Sequence, residues 1–368
     1  MSAVTWSREA ADGDARAGWL DTPHGRVATP AFMPVGTRAA VKAVDVSDLE
    51  AIGAQIVLSN TYHLMLRPGS SLIAGLGGLH EFMAWRRPIL TDSGGFQIFS
   101  LEPEITEDGA TFRSIYDGSM VHLTPEGATR VQQELGPDIA MTLDICVGLP
   151  SPREVVEAEM RRTLRWGERC LQAHTGEGQA LFGIVQGGVD IDLRGESAAA
   201  TAQMGFPGFG IGGLSVGESP EERNLALEAT IAELPDDKPR YVMGLGDSKG
   251  LLDAIGRGAD MFDCVLPTRL ARHGKVLTSE GDLNLKNARF ARDQSPIDTD
   301  CPCLVCTNYT RAYLSHLVRM KELSAHRLLS IHNLRHTLDM MSEARQAIVE
   351  GRFENFAAGV GARRQGSP

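Results

Sequence analysis

The chain has 368 residues, of which 42% are hydrophobic and 23% are charged, so it is long enough to bury a large core. Its formal net charge of −11 argues against unselective binding along nucleic acids. The N-terminus is polar, and no apolar run approaches the ~18 residues that a membrane span needs, so we expect a cytoplasmic protein without membrane contact.

The first predicted elements are short strands. Residues 17–29 form two short runs around a Pro/Gly turn, which predicts a hairpin in an N-terminal unit of residues 1–30 that packs on the main domain. Eight short apolar segments follow, with helix-like stretches between most of them. Three helices are predicted to begin near Ser47, Ser151 and Ser219, because each serine has a glutamate three residues later. The eight segments are residues 31–35, 55–59, 88–92, 139–144, 181–186, 209–213, 241–244 and 261–265.

Eight strands alternating with helices predict an α/β fold, the (β/α)8 TIM barrel, with a doubly wound open sheet as the competing arrangement. The long gap before the fourth segment contains two strand-like runs, which predict an inserted hairpin at residues 111–123. After the eighth segment come short strands, a cysteine cluster and helices, which predict a C-terminal zinc-binding subdomain at residues 276–334. We assign residues 31–275 and about 335–356 to the catalytic barrel and expect residues 357–368 to be disordered.

Asp263 is the most unusual residue of the predicted strands, because it places a carboxylate inside the apolar run 261–266. Several cations follow between residues 269 and 275. An acid at a strand end beside a basic loop suggests a nucleophile or base that acts on an anionic substrate. The alternative is an aspartate that caps the next loop. Six Lys/Arg face two acids between residues 264 and 292, which favours selective contact with a polyanion over a merely solvated basic face.

Other polar residues and glycines stand at the ends of the predicted strands, where the active site of a TIM barrel lies. Three carboxylates, an amide and bare glycine backbone would converge there, a set that suits a planar, polar heterocycle. Phe96 and Met243 are placed to stack on its two faces. Taken singly, each residue has a structural alternative, since an aspartate at a strand end often caps a helix. The candidates are Asp92, Ser93, Gly94, Gly95, Phe96, Asp144, Gln186, Gly213, Leu214 and Met243.

Two apparent motifs do not carry the chemistry that their spelling suggests. Gly208, Gly210 and Gly213 match a dinucleotide fingerprint, but they lie within a predicted strand and the next helix begins only near Ser219. Ser93 lacks the preceding glycine of a serine-hydrolase nucleophile elbow, since Asp92 stands there.

Three cysteines within six residues predict a metal site rather than a disulfide framework. With one downstream histidine they form a closed Cys3His set, which is typical of structural zinc because no ligand position is left for water. We choose His332 as the fourth ligand, although His316, His326 and His336 compete on sequence alone. The alternative is a chance grouping of free thiols. The cysteines are Cys301, Cys303 and Cys306.

Several long motifs resemble those of the tRNA-guanine transglycosylase family, in order, from about residue 25 to residue 353. The resemblance implies a (β/α)8 barrel with one structural Zn²⁺ per chain. It also implies a pentosyltransferase that exchanges the wobble guanine of the tRNAs for Asp, Asn, His and Tyr for a 7-deazaguanine precursor of queuosine. The motifs are TDSGGFQ at 91–97, FGIVQGG at 182–188, GGLSVGE at 212–218, FDCVLPTR at 262–269, and the cysteine cluster followed by IHN at 331–333.

The resemblance assigns roles to single residues. It implies that Asp263 is the nucleophile that attacks the ribose and holds a covalent RNA intermediate, and that Asp92 is the general acid/base. It implies that Asp144, Gln186 and Gly213 read the base, with Leu214 nearby, and that Phe96 and Met243 stack on it. It resolves the fourth zinc ligand to His332. The implied RNA-binding residues are Gly244, Leu245, Gly246, Asp247, Ser248, Lys249, Gly250, Thr268, Arg269, Leu270, Ala271 and Arg272.

A few residues separate the subtypes of the family. Cys146 and Val216 resemble the bacterial members that use the base preQ1, whereas the eukaryotic queuine-using subunit has glycine at the second position. Bacterial members usually have Asp-Glu-Cys where this chain has Ile145 between Asp144 and Cys146. The resemblance also implies a homodimer. We therefore expect a preQ1-using enzyme, with a queuine-using member of the same family as the alternative.

Two functions of other classes fit the sequence less well. A metal-dependent barrel hydrolase would need histidines at the strand ends, and the eight predicted segments contain none. A non-catalytic zinc protein that binds RNA would be expected to have lost Asp92 or Asp263, and both are present.

Overall fold

The computed structural model describes residues 3–365 of the chain. The strands are β1 (Thr5–Asp12), β2 (Ala15–Thr22), β3 (Gly25–Thr29), β4 (Ala31–Gly36), β5 (Val57–Ser59), β6 (Ile89–Thr91), β7 (Glu104–Ile105), β8 (Ala110–Arg113), β9 (Met120–Leu123), β10 (Ile139–Met141), β11 (Ala180–Val185), β12 (Phe209–Ile211), β13 (Arg240–Val242), β14 (Met261–Cys264), β15 (Lys275–Val276) and β16 (Leu283–Asn284). The α-helices are α1 (Val46–Ala51), α2 (Thr61–Leu66), α3 (Ser70–Gly75), α4 (Gly78–Met83), α5 (Gly95–Phe99), α6 (Pro125–Leu135), α7 (Arg153–Ala173), α8 (Ile191–Gln203), α9 (Pro220–Ala232), α10 (Ser248–Ile255), α11 (Leu266–Arg272), α12 (Leu304–Asn308), α13 (Arg311–Met320), α14 (Leu323–Val349) and α15 (Phe353–Gln365).

Eight parallel strands close into a barrel, in the order β4, β5, β6, β10, β11, β12, β13 and β14. The ring closes where β14 pairs with β4, with Met261 opposite Ala31 and Asp263 opposite Met33. Each of the eight predicted segments overlaps one of these strands. The (β/α)8 barrel is therefore confirmed, and the competing open sheet is wrong because a closed ring has no edge strands.

Side-chain alternation along the strands separates two parts of the core. Met33, Leu90 and Met261 belong to the cluster that fills the barrel interior. The residues next to them along the chain, such as Phe32 and Phe262, pack in the larger cluster between strands and helices. Because successive side chains of a strand point to opposite faces, every second residue of a barrel strand faces the interior.

The N-terminal unit is a three-stranded antiparallel sheet of β1, β2 and β3. The predicted hairpin corresponds to β2 and β3, which pair from Gly18 opposite Thr29 to Thr22 opposite Gly25. Likewise the predicted inserted hairpin corresponds to β8 and β9, and β7 adds a third strand to it. In both places the hairpin was predicted, whereas the additional strand, β1 or β7, was not, although each is joined to its neighbour by a short connection.

The C-terminal region is mainly helical, as predicted. Helix α14 contacts β1, β2 and β4, so it packs against both the N-terminal sheet and the barrel. We expected a disordered tail from residue 357, and in the structure α15 spans Phe353–Gln365. Phe353 and Val360 pack into the core, and Arg364 pairs with Asp282. Residues 366–368 lie outside the described residues, and the proposed division into domains stays a prediction.

The predicted helix starts are partly right. Helix α9 begins at Pro220 with Ser219 as N-cap and Glu222 closing a capping box, as expected. Helix α7 begins at Arg153, directly after the predicted start. Helix α1, however, has Asp45 rather than Ser47 as its N-cap, because the Asp45 carboxylate accepts the backbone N–H of Asp48 at 2.9 Å. None of the helices in residues 3–365 is long and apolar enough to span a bilayer.

Candidate active site and metal site

The predicted catalytic and base-reading residues meet at the carboxyl ends of the barrel strands. Asp92, Gln186 and Asp263 each lie two residues after a side chain of the barrel interior, so alternation turns them towards the open end. The charges of Asp263 and Asp144 both act on Asp92, and Asp144 is hydrogen-bonded to Gln186. The carboxylates that lie far apart in sequence therefore form one site.

Asp263 is held by two donors on one carboxylate oxygen. The Tyr241 hydroxyl donates to Oδ1 at 2.6 Å, and the backbone N–H of Gly244 donates to the same atom at 2.8 Å. Burial raises the pKa of Asp263 above its usual range, and the two hydrogen bonds oppose that increase. The carboxyl group is thus oriented by its surroundings, with Oδ2 free of these two donors.

Asp92 directly follows β6, and its side chain contacts the N-terminus of α2. The backbone N–H of Thr61 donates to its Oδ1 at 2.9 Å, the Asn60 side-chain amide donates to its Oδ2, and the Thr61 hydroxyl donates to its backbone oxygen at 2.5 Å. Burial, together with the negative charges of Asp263 and Asp144, raises the pKa of Asp92 to about 7. A group with this pKa can both give and accept a proton near neutral pH.

Asp144 and Gln186 form a buried polar pair beside Asp92. The Gln186 side-chain amide donates to Asp144 Oδ2 at 2.7 Å, and the Ser93 hydroxyl donates to Oδ1 at 2.9 Å. Asp144 is 7% exposed and Gln186 is 3% exposed, and burial raises the pKa of Asp144. These bonds fix the direction of each polar group, which is what recognition of one particular base requires.

Two glycines bring the backbone close to these polar groups. A Cβ at Gly213 would lie 2.2 Å from Gln186 Oε1, and Gly213 also has a positive φ of 68°. A Cβ at Gly95 would lie 2.6 Å from Asp144 Oδ1. Any larger residue would displace the polar side chains, so glycine is required here for packing.

The predicted stacking residues differ in exposure. Phe96, in the short helix α5, is 56% exposed, so its ring is accessible to a ligand. Gly94 precedes this helix with a positive φ of 84°, which lets the chain turn directly after Asp92 and Ser93. Met243 is half-buried against the barrel-interior cluster, and Leu214 is buried. The structure therefore leaves Phe96 as the accessible ring among the predicted base-binding residues.

Two cysteines lie close to the carboxylates. Burial raises the pKa of the Cys146 thiol to about 12 and that of the Cys264 thiol to about 11. Both are neutral near pH 7, and a neutral thiol is a poor nucleophile. Asp263 is therefore the better candidate for a nucleophile at this mouth.

Two residues of the site were not predicted from the sequence. Tyr241 is the first residue of predicted segment seven, and its place in the interior of the barrel points its hydroxyl to Asp263. Asn60 follows segment two directly, and its amide contacts Asp92. The strand-end rule that selected the other residues also applies to Asn60, whereas Tyr241 resembles an ordinary core aromatic.

The predicted RNA-binding segments differ in how much they expose. Residues 244–250 form a loop and the start of α10, whose N-cap is Asp247, and residues 268–272 lie in α11. Arg269 and Lys249 are exposed, whereas Leu245 and Thr268 are buried along with Gly246, Ser248, Gly250 and Ala271. The buried residues of these two segments can only hold the exposed residues in place.

The predicted metal ligands come together in the C-terminal region. His332, fully buried in α14, places Nδ1 at 3.7, 3.6 and 3.3 Å from the sulfur atoms of Cys301, Cys303 and Cys306. Zn–S bonds of about 2.3 Å and Zn–N bonds of about 2.0 Å in a tetrahedron give S···N separations of about 3.5 Å. His332 Nε2 donates to the Leu277 carbonyl at 2.7 Å, which orients the ring. This group could hold a metal ion.

A second group of potential ligands, His24, His80 and Asp138, lies at the amino ends of the strands. Asp138 Oδ1 accepts from the backbone N–H and Nδ1 of His24 at 3.0 and 2.9 Å. Oδ2 pairs with His80 Nε2 at 3.1 Å and accepts from the backbone N–H of Ile89 at 2.9 Å. Because both carboxylate oxygens already have two protein partners, this group is a complete hydrogen-bonded cluster.

Comparison with known proteins agrees with this geometry. The family model described as "Queuine tRNA-ribosyltransferase" matches residues 12–365. A protein of that name from Herpetosiphon aurantiacus is 54% identical over 358 residues, which cover 97% of this chain and 91% of the relative. Another from Thermus thermophilus is 52% identical over 368 residues, covering 100% of this chain and 96% of the relative. A third, from Halothermothrix orenii, is 54% identical over 344 residues, covering 93% and 92%.

Proposed function

The chain belongs to the queuine tRNA-ribosyltransferase family, whose members are tRNA-guanine pentosyltransferases. From this premise we propose how the chain exchanges the base. We propose that it replaces the wobble guanine of tRNA with the 7-deazaguanine base preQ1 through a covalent intermediate. The observation that carries the proposal is the pair Asp92 and Asp263 at one barrel mouth, where the negative charge of Asp263 acts on Asp92. An acid with a pKa near 7 and an oriented carboxylate match the two roles that such an exchange needs.

In the first half-reaction Asp263 Oδ2 attacks the ribose C1′ of the wobble nucleotide. The Oδ2–C1′ bond forms as the C1′–N9 bond breaks, and the bonding electron pair leaves with guanine. Asp92, in its protonated form, donates a proton to the departing base. The Tyr241 hydroxyl and the Gly244 N–H hold Oδ1, so the attacking oxygen points in a fixed direction.

In the second half-reaction the incoming base takes the place of guanine. Asp92 removes a proton from it, the base nitrogen bonds to C1′, and the electron pair of the ester bond returns to Asp263. Two displacements at the same carbon retain the configuration of the sugar. The anticodon-loop nucleotide is unpaired, so turning its base into the pocket costs little.

We propose that Asp144 and Gln186 read the edge of the base while Phe96 stacks on its face. Asp144 can accept from a ring N–H and an exocyclic amine, and glycine backbone at Gly213 can approach a base carbonyl closely. Burial of the polar pair removes competing water, which strengthens discrimination against bases that lack the matching groups.

We propose preQ1 rather than queuine as the incoming base. Cys146 is buried and close enough to Asp144 for that charge to act on its thiol, and Val216 lies in the loop after β12. The Glu218 carboxylate accepts the backbone N–H groups of Ser215 and Val216, so this loop is held in one conformation. Ile145 packs in the core between strands and helices, so it adds no charge at the mouth.

The test is a comparison of bases. Unmodified tRNA is incubated with the protein and with preQ1 or queuine, and the mass of the wobble nucleoside is measured. We expect the preQ1 mass and little of the queuine mass. A queuine product would contradict the assignment of the base, and an unchanged guanosine with either base would contradict the exchange itself.

We propose that the Cys3His group holds one structural zinc ion. Zinc would be bound by Cys301, Cys303, Cys306 and His332, and its only contribution there is to stabilise the fold, because four protein ligands leave no position for substrate. The basic residues near Arg269 are proposed to contact the tRNA backbone, since β14, which carries Asp263, leads directly into α11.

We also propose that two copies of the chain form a homodimer in the absence of tRNA. Light scattering should give twice the chain mass, and a monomer at micromolar concentration would contradict this proposal.

A further inference from the structure

One arginine is fully buried directly behind the base-reading loops. Arg194 lies in α8 and has 0% of its surface exposed. Its guanidinium donates to three backbone carbonyls, those of Gly188 at 2.7 Å, Val185 at 3.2 Å and Gly213 at 3.3 Å. Val185 is the last residue of β11, Gly188 lies in the loop after β11, and Gly213 lies in the loop after β12.

A buried arginine without a close carboxylate is costly for a fold. None of the ion pairs within residues 3–365 includes Arg194, and burial lowers its pKa to about 10. Removing a cation from water usually requires a paired anion. Here its partners are backbone carbonyls, and a flexible hydrocarbon side chain would fill the same volume at lower cost. The residue is better explained by what it holds in place.

The two loops that Arg194 joins carry the groups proposed to read the base. Gln186 precedes Gly187 and Gly188 in the first loop, and Gly213 is in the second. The two loops touch at the pocket, because a Cβ at Gly213 would lie only 2.2 Å from Gln186 Oε1. A small shift of either loop would therefore move the Gln186 amide and, through its 2.7 Å hydrogen bond, Asp144.

We propose that Arg194 is a positioning residue for the base: its guanidinium ties the loop of Gln186 to the loop of Gly213, so that both meet the heterocycle at a fixed spacing. This inference rests on the proposed function. A guanidinium suits the task because its rigid fork can donate to several acceptors at once, whereas a lysine ammonium is a single point charge on a flexible stem.

The test is the variant Arg194→Lys, which keeps the charge and most of the hydrocarbon stem. Steady-state exchange is measured with the base varied at saturating tRNA, and then with the tRNA varied at saturating base. We expect the KM for preQ1 to rise about tenfold, the effect of losing one or two hydrogen bonds. The KM for tRNA should change less than about twofold, because the phosphate contacts that dominate tRNA affinity are elsewhere.

Arg240→Lys is a matched control. Arg240 is also buried, and its guanidinium donates to the carbonyls of Leu234, Pro235 and Gly258. It differs in pairing with Asp236 at 3.7 Å and in beginning β13, at the opposite end of the barrel. If Arg194 were merely structural, the two variants would lose stability and activity alike. We expect Arg240→Lys to lower the melting temperature and to leave the KM for preQ1 unchanged.

A measurement on the unmodified protein covers the case in which Arg194→Lys does not fold. Hydrogen–deuterium exchange is followed in residues 186–188 and 212–214 with and without preQ1. Both loops should be protected together. Protection of only one loop would overturn the coupling, as would an unchanged KM for preQ1 in Arg194→Lys or an equal rise in both KM values. Failure of the unmodified protein to exchange any base would instead refute the proposed function.

Discussion

The hydrogen bond from Tyr241 to Asp263 makes a testable contribution to the chemistry. The variant Tyr241→Phe removes one hydroxyl from a fully buried ring and leaves the ring in place. Asp263 then keeps only the Gly244 N–H as a donor to Oδ1, at 2.8 Å. Since the hydroxyl bond stabilises the ionised carboxylate, its loss raises the pKa of Asp263 further above its usual range.

The size of the effect follows from the strength of that bond. At 2.6 Å the Tyr241 hydroxyl donates to a carboxylate, and hydrogen bonds to charged groups contribute about 1.5–3 kcal/mol. Where Asp263 is mostly protonated, the ionised fraction should fall by about tenfold or more. At any pH where Asp263 is ionised in both proteins, the rate should change by only about twofold to threefold, because positioning alone is affected.

The assay measures the rate at which the tRNA adduct forms in a single turnover, from pH 4.5 to 8.5. We expect the acidic limb of the profile to move to higher pH in Tyr241→Phe. The control Tyr62→Phe removes the hydroxyl of another buried tyrosine and should keep the original profile. A uniform loss of rate at every pH, with no movement of the acidic limb, would refute the account of Asp263.

Further predictions concern Asp92 and the metal group. Burial and two negative charges raise the pKa of Asp92 to about 7, so kcat/KM for tRNA should fall as the pH rises above about 7. In Asp92→Asn this fall at high pH should be absent, and the rate should be lower by about 10²–10⁴-fold. Because the folded-state pKa of Asp92 exceeds the ordinary 3.8, the stability from its protonation is fully present below 3.8 and is lost as the pH rises through about 7. At pH 8 the free energy of unfolding in urea should therefore be higher for Asp92→Asn than for the unmodified protein. The difference should be only about 1–2 kcal/mol, because the Asp92 side chain is partly accessible to water, and it should shrink at pH 5. A variant that is less stable at pH 8 would contradict this. Metal analysis should find about one zinc per chain. Cys303→Ser should lose the zinc and unfold at a lower temperature, whereas the control Cys170→Ser, at a buried thiol outside the group, should keep it. Full stability of Cys303→Ser without metal would refute a structural ion.

Much of the architecture was readable from the sequence for a physical reason. Short apolar segments that end in polar residues repeat with helices between them, and closure of the ring by β14 and β4 brings their carboxyl ends together. The positions of Asp92, Asp144 and Asp263 at the ends of such segments were thus enough to predict that they share one mouth. The cysteine spacing likewise predicted a closed metal set, which His332 completes in the structure.

The supporting residues were not readable, because their role depends on contacts between distant elements. Arg194 lies in an ordinary helical stretch and looks like a solvated cation, and only the approach of two loops buries it. Tyr241 looks like one more core aromatic until its hydroxyl is seen beside Asp263. At the start of α1, Asp45 and Ser47 are both good caps two residues apart, and sequence preference alone could not choose between them.

The covalent adduct with tRNA tests the central claim most directly. Unmodified tRNA is incubated with the protein in the absence of an incoming base, quenched in denaturant and resolved on a denaturing gel. We predict a slower-migrating protein–RNA band for the unmodified protein and none for Asp263→Asn, whose amide cannot form the ester. An undiminished band in Asp263→Asn would contradict the assignment of Asp263 as the nucleophile.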